Sequence, residues 1–213
     1  MVAPDLHGGP AASGASTGDA RPVLGHVNLM VDTFIANANL EDLRAIVRGM
    51  LATSPPSVAA AFTAAARQRL VRVKATDVPD MTGLFASGPD GNSAEPTEKL
   101  NGVLLRIRTL YGSGMGFASL RILTRVVGAT VGLRWEEDGA MEDTLAIIDA
   151  DISQAIQSAK EEIDGNRVAD FQEAREVVEE LRSAVNESQM DAKKWNGAFP
   201  FERAASSLEF WRV

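Results

Sequence analysis

Apolar residues recur along most of this chain at spacings of three and four, the period of helices buried on one side. The signal is clearest in the last third. With Leu145 as origin and 100° per residue, Met141, Leu145, Ile148, Ile152, Ile156, Ala159 and Ile163 fall within an arc of about 80°. After Asp164-Gly165-Asn166, the positions Phe171, Ala174, Val178, Leu181 and Val185 repeat the pattern. Two amphipathic helices separated by a short turn predict an antiparallel helical hairpin.

Upstream the same reasoning gives shorter elements. Asn39 is placed to cap a helix from Leu40, with Leu43, Ile46, Val47, Met50 and Leu51 on one side. Ser54-Pro55-Pro56 stops it and starts another, Ser54 being the expected N-cap. The alanine-rich run 58–73 follows, with Arg67, Arg69, Arg72 and Lys74 favourable near a helix C-terminus. Residues 75–95 carry Pro79, Gly83, Gly88, Pro89, Gly91 and Asn92, a long loop that reads as a lid or a simple excursion. A helix over 96–111 is broken at Tyr111-Gly112-Ser113-Gly114-Met115-Gly116, and another runs over 116–133. That last helix carries Phe117, Leu120, Ile122, Leu123, Val126, Val127, Val131 and Leu133, apolar almost all round, and is expected at the centre.

The fold class is therefore all-α. We expect an irregular bundle of five to seven helices over 26–194, ending in the helical hairpin, with no β pattern longer than a few residues. Residues 1–25, rich in Gly, Ala, Ser and Pro, read as a disordered tail holding or bordering both histidines, His7 and His26. Residues 195–213 form an aromatic C-terminal segment docked on the bundle or on a partner.

Charge and composition narrow the function classes. The net charge is −8, but residues 26–134 carry a net +4 and residues 135–213 a net −11. The two parts are expected to attract one another within the fold, or else to face different partners. An acidic chain with no basic, aromatic-interleaved platform argues against nucleic acid. With no cysteine there are no disulfides, thiolate-held metals or thiol catalysis, and an intracellular setting, cytoplasmic or nuclear, is favoured. Arg121 and Arg125 interrupt the most apolar helix, so no membrane span is expected.

The motifs dissolve on inspection. Gly14-Ala15-Ser16-Thr17-Gly18 matches a nucleophile elbow but lacks the flanking strand and helix. Gly112, Gly114 and Gly116 invite a phosphate-loop reading, yet they follow a helical pattern, not a strand. A turn between helices fits better, with anion binding at the next helix N-terminus as the alternative. The dense acidic residues of 136–151 scatter around their helix and have no nearby histidine, so no metal or cofactor is expected. Glu173, Glu180 and Glu187 line one face of the second hairpin helix, solvated or meeting a basic partner. Acid–base chemistry would fall to carboxylates, lysines or the lone Tyr111, and no pairing follows from spacing.

Two groups of residues remain. Arg121 and Arg125 lie one turn apart on the face of Gly128 and Gly132, glycines that would admit another backbone. The arginines pair with carboxylates of the acidic part, Asp149 foremost, or, with Arg106 or Arg108, bind a phosphate or carboxylate ligand, or else lie exposed at the surface. Trp195, Phe199, Phe201, Phe210 and Trp211 either fold back on the bundle or insert into a partner. The favoured expectation is a non-catalytic interaction or adaptor protein with a protein partner, a second copy of the chain among the candidates. A helical ligand-binding protein or enzyme built on the arginines is the alternative.

Overall fold

The computed structural model describes residues 29–88 and 91–213. The N-terminal tail expected over 1–25, with His7 and His26, lies outside them. The fold is all-α: eight helices and one two-stranded sheet among the described residues. The single body expected over 26–194 divides after Thr53 into two compact units.

In the first unit, α1 spans Leu29–Asn37 and α2 spans Leu40–Thr53. Asn39 caps α2 as its side chain predicts: its Oδ1 accepts from the Asp42 N–H at 2.8 Å, and its Nδ2 donates back to the Asp42 carboxylate.

The second unit begins with α3, Pro56–Arg72. The expected Ser54 cap is displaced by one residue, because Pro55 takes the cap position and Pro56 the first helical one, where its missing N–H is harmless. The loop over 75–95, read as a lid or a simple excursion, holds two short paired strands. Strands β1, Phe85–Ser87, and β2, Ala94–Pro96, pair antiparallel in the register Ala86 to Glu95. Leu84 is buried beside them, and the Ala94 N–H donates to the Arg134 carbonyl.

Helix α4, Glu98–Gly112, starts at Thr97, whose hydroxyl accepts from the Leu100 N–H. Helix α5, Gly116–Gly128, is the expected centre, with Leu120, Ile122, Leu123, Val126 and Val127 fully buried. The long helices α6, Ala140–Asp164, and α7, Phe171–Lys194, both lie against α5. The two apolar stripes that the sequence sets side by side in a hairpin thus converge on α5. Gly116 makes one crossing possible: a Cβ there would sit 2.1 Å from the Ala159 backbone nitrogen of α6. Helix α8, Glu202–Glu209, closes the chain against α6 and α7.

Candidate functional site

The four arginines offered as an anion site are each engaged within the chain. Arg121 is ion-paired with Glu173, and Arg125 lies 3.8 Å from Glu180, both on α7. Glu173 and Glu180 thus reach the α5 arginines from the exposed flank of α7. These pairs are exposed, so each contributes about 0–1 kcal/mol. Asp149, the sequence's foremost partner for them, is elsewhere. Gly128 has no atom within 4 Å of a Cβ position, so it admits no neighbouring backbone. Gly132 is equally open, and its φ of 86° serves the turn after α5.

Arg106 binds three carbonyls beyond the end of α3: Nε donates to Ala75, and one Nη to Lys74 and Asp77. It acts as a C-terminal clasp. Arg108 forms a two-pronged pair with Asp151 of α6, at 2.9–3.1 Å. The Tyr111 hydroxyl donates to the same carboxylate at 2.9 Å. Burial, then the Asp151 carboxylate, push the Tyr111 phenol up to about 12. The cluster ties α4 to α6.

The glycine turn is a helix–helix turn, with Gly114 at φ 78°. The anion at the N-terminus of α5 comes from the chain itself. Glu162 accepts from the Phe117 N–H at 3.2 Å, in a half-buried setting that raises its carboxyl above the ordinary value despite that bond. Beside it lies a cleft of about 220 Å³ lined by Phe117, Arg121, Glu162, Arg167, Asp170 and Glu173. Its cations are matched by its carboxylates, and Arg167 also donates to the Glu161 carbonyl at 3.0 Å. Asp170 is the N-cap of α7.

The aromatic segment lies on the bundle. Phe201 and Trp211 are buried, Trp211 stacks on Phe117 at 6.2 Å, and Phe199 meets Phe201 edge-on. Trp195 stands edge-on to Trp135 at 5.0 Å, with Arg134 over its ring. Phe210 alone points outward, 81% exposed. Asp149 holds the segment down by capping α8: it accepts from the Arg203 and Ala204 N–H groups at 3.2 and 2.8 Å. Burial raises its carboxyl against those bonds. Arg182 of α7 donates to the Leu208 and Trp211 carbonyls.

The feature that sequence reasoning passed over is in the first unit. No described residue of α1 or α2 is buried. Met30 is 75% exposed, and Val31, Phe34, Ile35, Leu40, Ile46 and Met50 are also exposed. The apolar side of α2 was legible as periodicity. Its exposure was not, because an amphipathic pattern states that a face is apolar and leaves open what covers it.

Among the described residues there is no group of three or more potential metal ligands, and no helix long and apolar enough to cross a membrane. Comparison with protein-family models, curated proteins and solved structures finds no match to this chain.

Proposed function

We propose that this is a protein-interaction module whose binding surface is the apolar side of α1 and α2. One observation carries the reading: these helices display large apolar side chains and bury none. Isolated helices of 9 and 14 residues are marginal in water, since nucleation is costly and each residue adds little. Such helices gain their stability by docking an apolar face. Contiguous exposed apolar surface of this kind marks interaction sites. The second unit has its own core around α5.

The charged side chains point the same way. In the second unit the arginines and carboxylates singled out above cap helices or pair with one another. They provide no converging acid and base, which supports a non-catalytic role.

A photo-crosslinking amino acid placed at Phe34 or Ile46, in the chain expressed in its own cells, tests the reading. Expected are discrete adducts to another polypeptide, absent when the same group replaces the exposed Leu105 of α4. Equal labelling at all three positions, or none, overturns it.

A further inference from the structure

An aspartate or asparagine followed by glycine is open to attack by its own backbone, because glycine has no Cβ to shield its nitrogen. That nitrogen closes a five-membered ring on the carbonyl carbon of the preceding side chain. A hydrogen-bonded N–H is held away from the reaction, most firmly inside a helix. Four such pairs have both residues described: Asn101-Gly102, Asp138-Gly139, Asp164-Gly165 and Asn196-Gly197.

Three of the four glycines are bonded. Gly102 lies inside α4, where its N–H belongs to the helical ladder. At the end of α6 the Gly165 N–H donates to the Glu161 carbonyl at 2.9 Å, and at the end of α7 the Gly197 N–H donates to the Ala192 carbonyl at 3.0 Å. Asp138-Gly139 differs. It lies in the turn between α5 and α6, with Asp138 exposed at φ 57°. The Gly139 carbonyl accepts from the Asp143 N–H, and the Asp138 N–H donates to the Glu142 carboxylate at 2.6 Å. Among the described residues neither the Gly139 N–H nor the Asp138 carboxylate has a partner.

We propose that Asp138 is a site of spontaneous backbone modification, passing through a cyclic imide to isoaspartate. The Gly139 nitrogen attacks Cγ of Asp138, and the N–H proton leaves with the carboxyl hydroxyl as water. Water then reopens the ring. Breaking the bond between the Gly139 nitrogen and Cγ restores aspartate. Breaking the bond between that nitrogen and the Asp138 backbone carbonyl carbon gives isoaspartate, with a free α-carboxylate and a main chain one methylene longer. Water is the sole co-reactant. The added methylene falls directly before Gly139, the N-cap of α6. It draws the Asp138 N–H off Glu142 and loosens the first turn of α6, which carries the buried Met141. This chemistry is independent of the interaction reading above.

Incubating the full chain in water enriched in heavy oxygen tests the proposal, with native and guanidinium-unfolded samples digested and sequenced by mass spectrometry. Ring opening deposits one heavy oxygen on each residue that has cyclised. At residue 138 the native chain should take up label within a few-fold of the unfolded rate, and fragment ions should identify isoaspartate there. At 101, 164 and 196 folding should slow uptake by at least about tenfold, because each hydrogen-bonded glycine must first open. Asp138→Glu closes no five-membered ring and abolishes uptake at 138, whereas Asp138→Asn speeds it because ammonia leaves more readily than hydroxide. Neither variant removes a contact of the side chain. No uptake at 138, suppression there as strong as at the other three positions, or uptake unchanged in Asp138→Glu overturns the proposal.

Discussion

Replacing Gly116 by alanine tests the packing of the second unit at its tightest point. An ideal Cβ at 116 falls 2.1 Å from the Ala159 nitrogen, 2.4 Å from its Cα and 2.6 Å from the Ser158 carbonyl carbon. All three are backbone atoms, so no side chain can swing aside. Restoring ordinary contact requires α5 and α6 to separate by roughly 1 Å, in an interior packed like a crystal. Overpacking of this kind costs about 2–3 kcal/mol. With a urea slope of about 2 kcal/mol per molar, the unfolding midpoint falls by roughly 1 M. Gly128 supplies the control on the same helix. It is exposed, has ordinary φ and has nothing within 4 Å of a Cβ. Alanine there raises stability by about 0.5–1 kcal/mol through helix propensity and a less flexible unfolded chain. Equilibrium urea unfolding followed by circular dichroism reads both. If the two midpoints move in the same direction, or Gly116→Ala leaves the midpoint unchanged, the α5–α6 crossing is wrong.

Three further outcomes follow from individual side chains. Phe201→Ala removes a fully buried ring and costs about 3–5 kcal/mol, whereas Phe210→Ala at the exposed neighbour stays within about 0.5 kcal/mol, both read by urea unfolding. The Glu162 carboxyl titrates above its ordinary value of 4.5 in the folded chain, so the unfolded chain releases that proton first as pH rises. Its titration therefore lowers stability as pH climbs from 4.5 to the raised folded value, and Glu162→Gln removes that part of the pH dependence of the urea midpoint. Tyr111 is the lone tyrosine, so ultraviolet absorbance reports it directly; its ionisation lies near 12 in the native chain, and Asp151→Asn moves it down.

What the sequence made legible was periodicity, and periodicity is a statement about one helix at a time. The 3.6-residue stripes placed α6 and α7 within a few residues and marked α5 as central, because burial of an all-round apolar helix leaves little choice. They did not show that both long helices lie on α5, since a stripe does not name its neighbour. The β1–β2 hairpin escaped notice for a related reason: three-residue strands are too short to display a period of two. Charged residues were the hardest to place. Asp149 was read as an arginine partner because both carried charge near an apolar stripe, yet it caps α8, fifty-odd residues on. Glu162 likewise supplies internally the anion that the glycine turn was left open to bind. The aromatic C-terminal segment gave two readings from its composition, and Phe201 and Trp211 lie in the core.

Hydrogen exchange at the α1 and α2 amides tests the interaction surface most directly. The full chain is labelled at sub-micromolar and at high micromolar concentration, and peptides covering 29–53 are compared with peptides from α5. The α5 amides should be protected equally at both. Those of α1 and α2 should exchange within seconds in the dilute sample, where helices without a buried face open freely. Equal and strong protection of 29–53 at both concentrations would contradict the central claim, because the apolar face would then be covered without a partner.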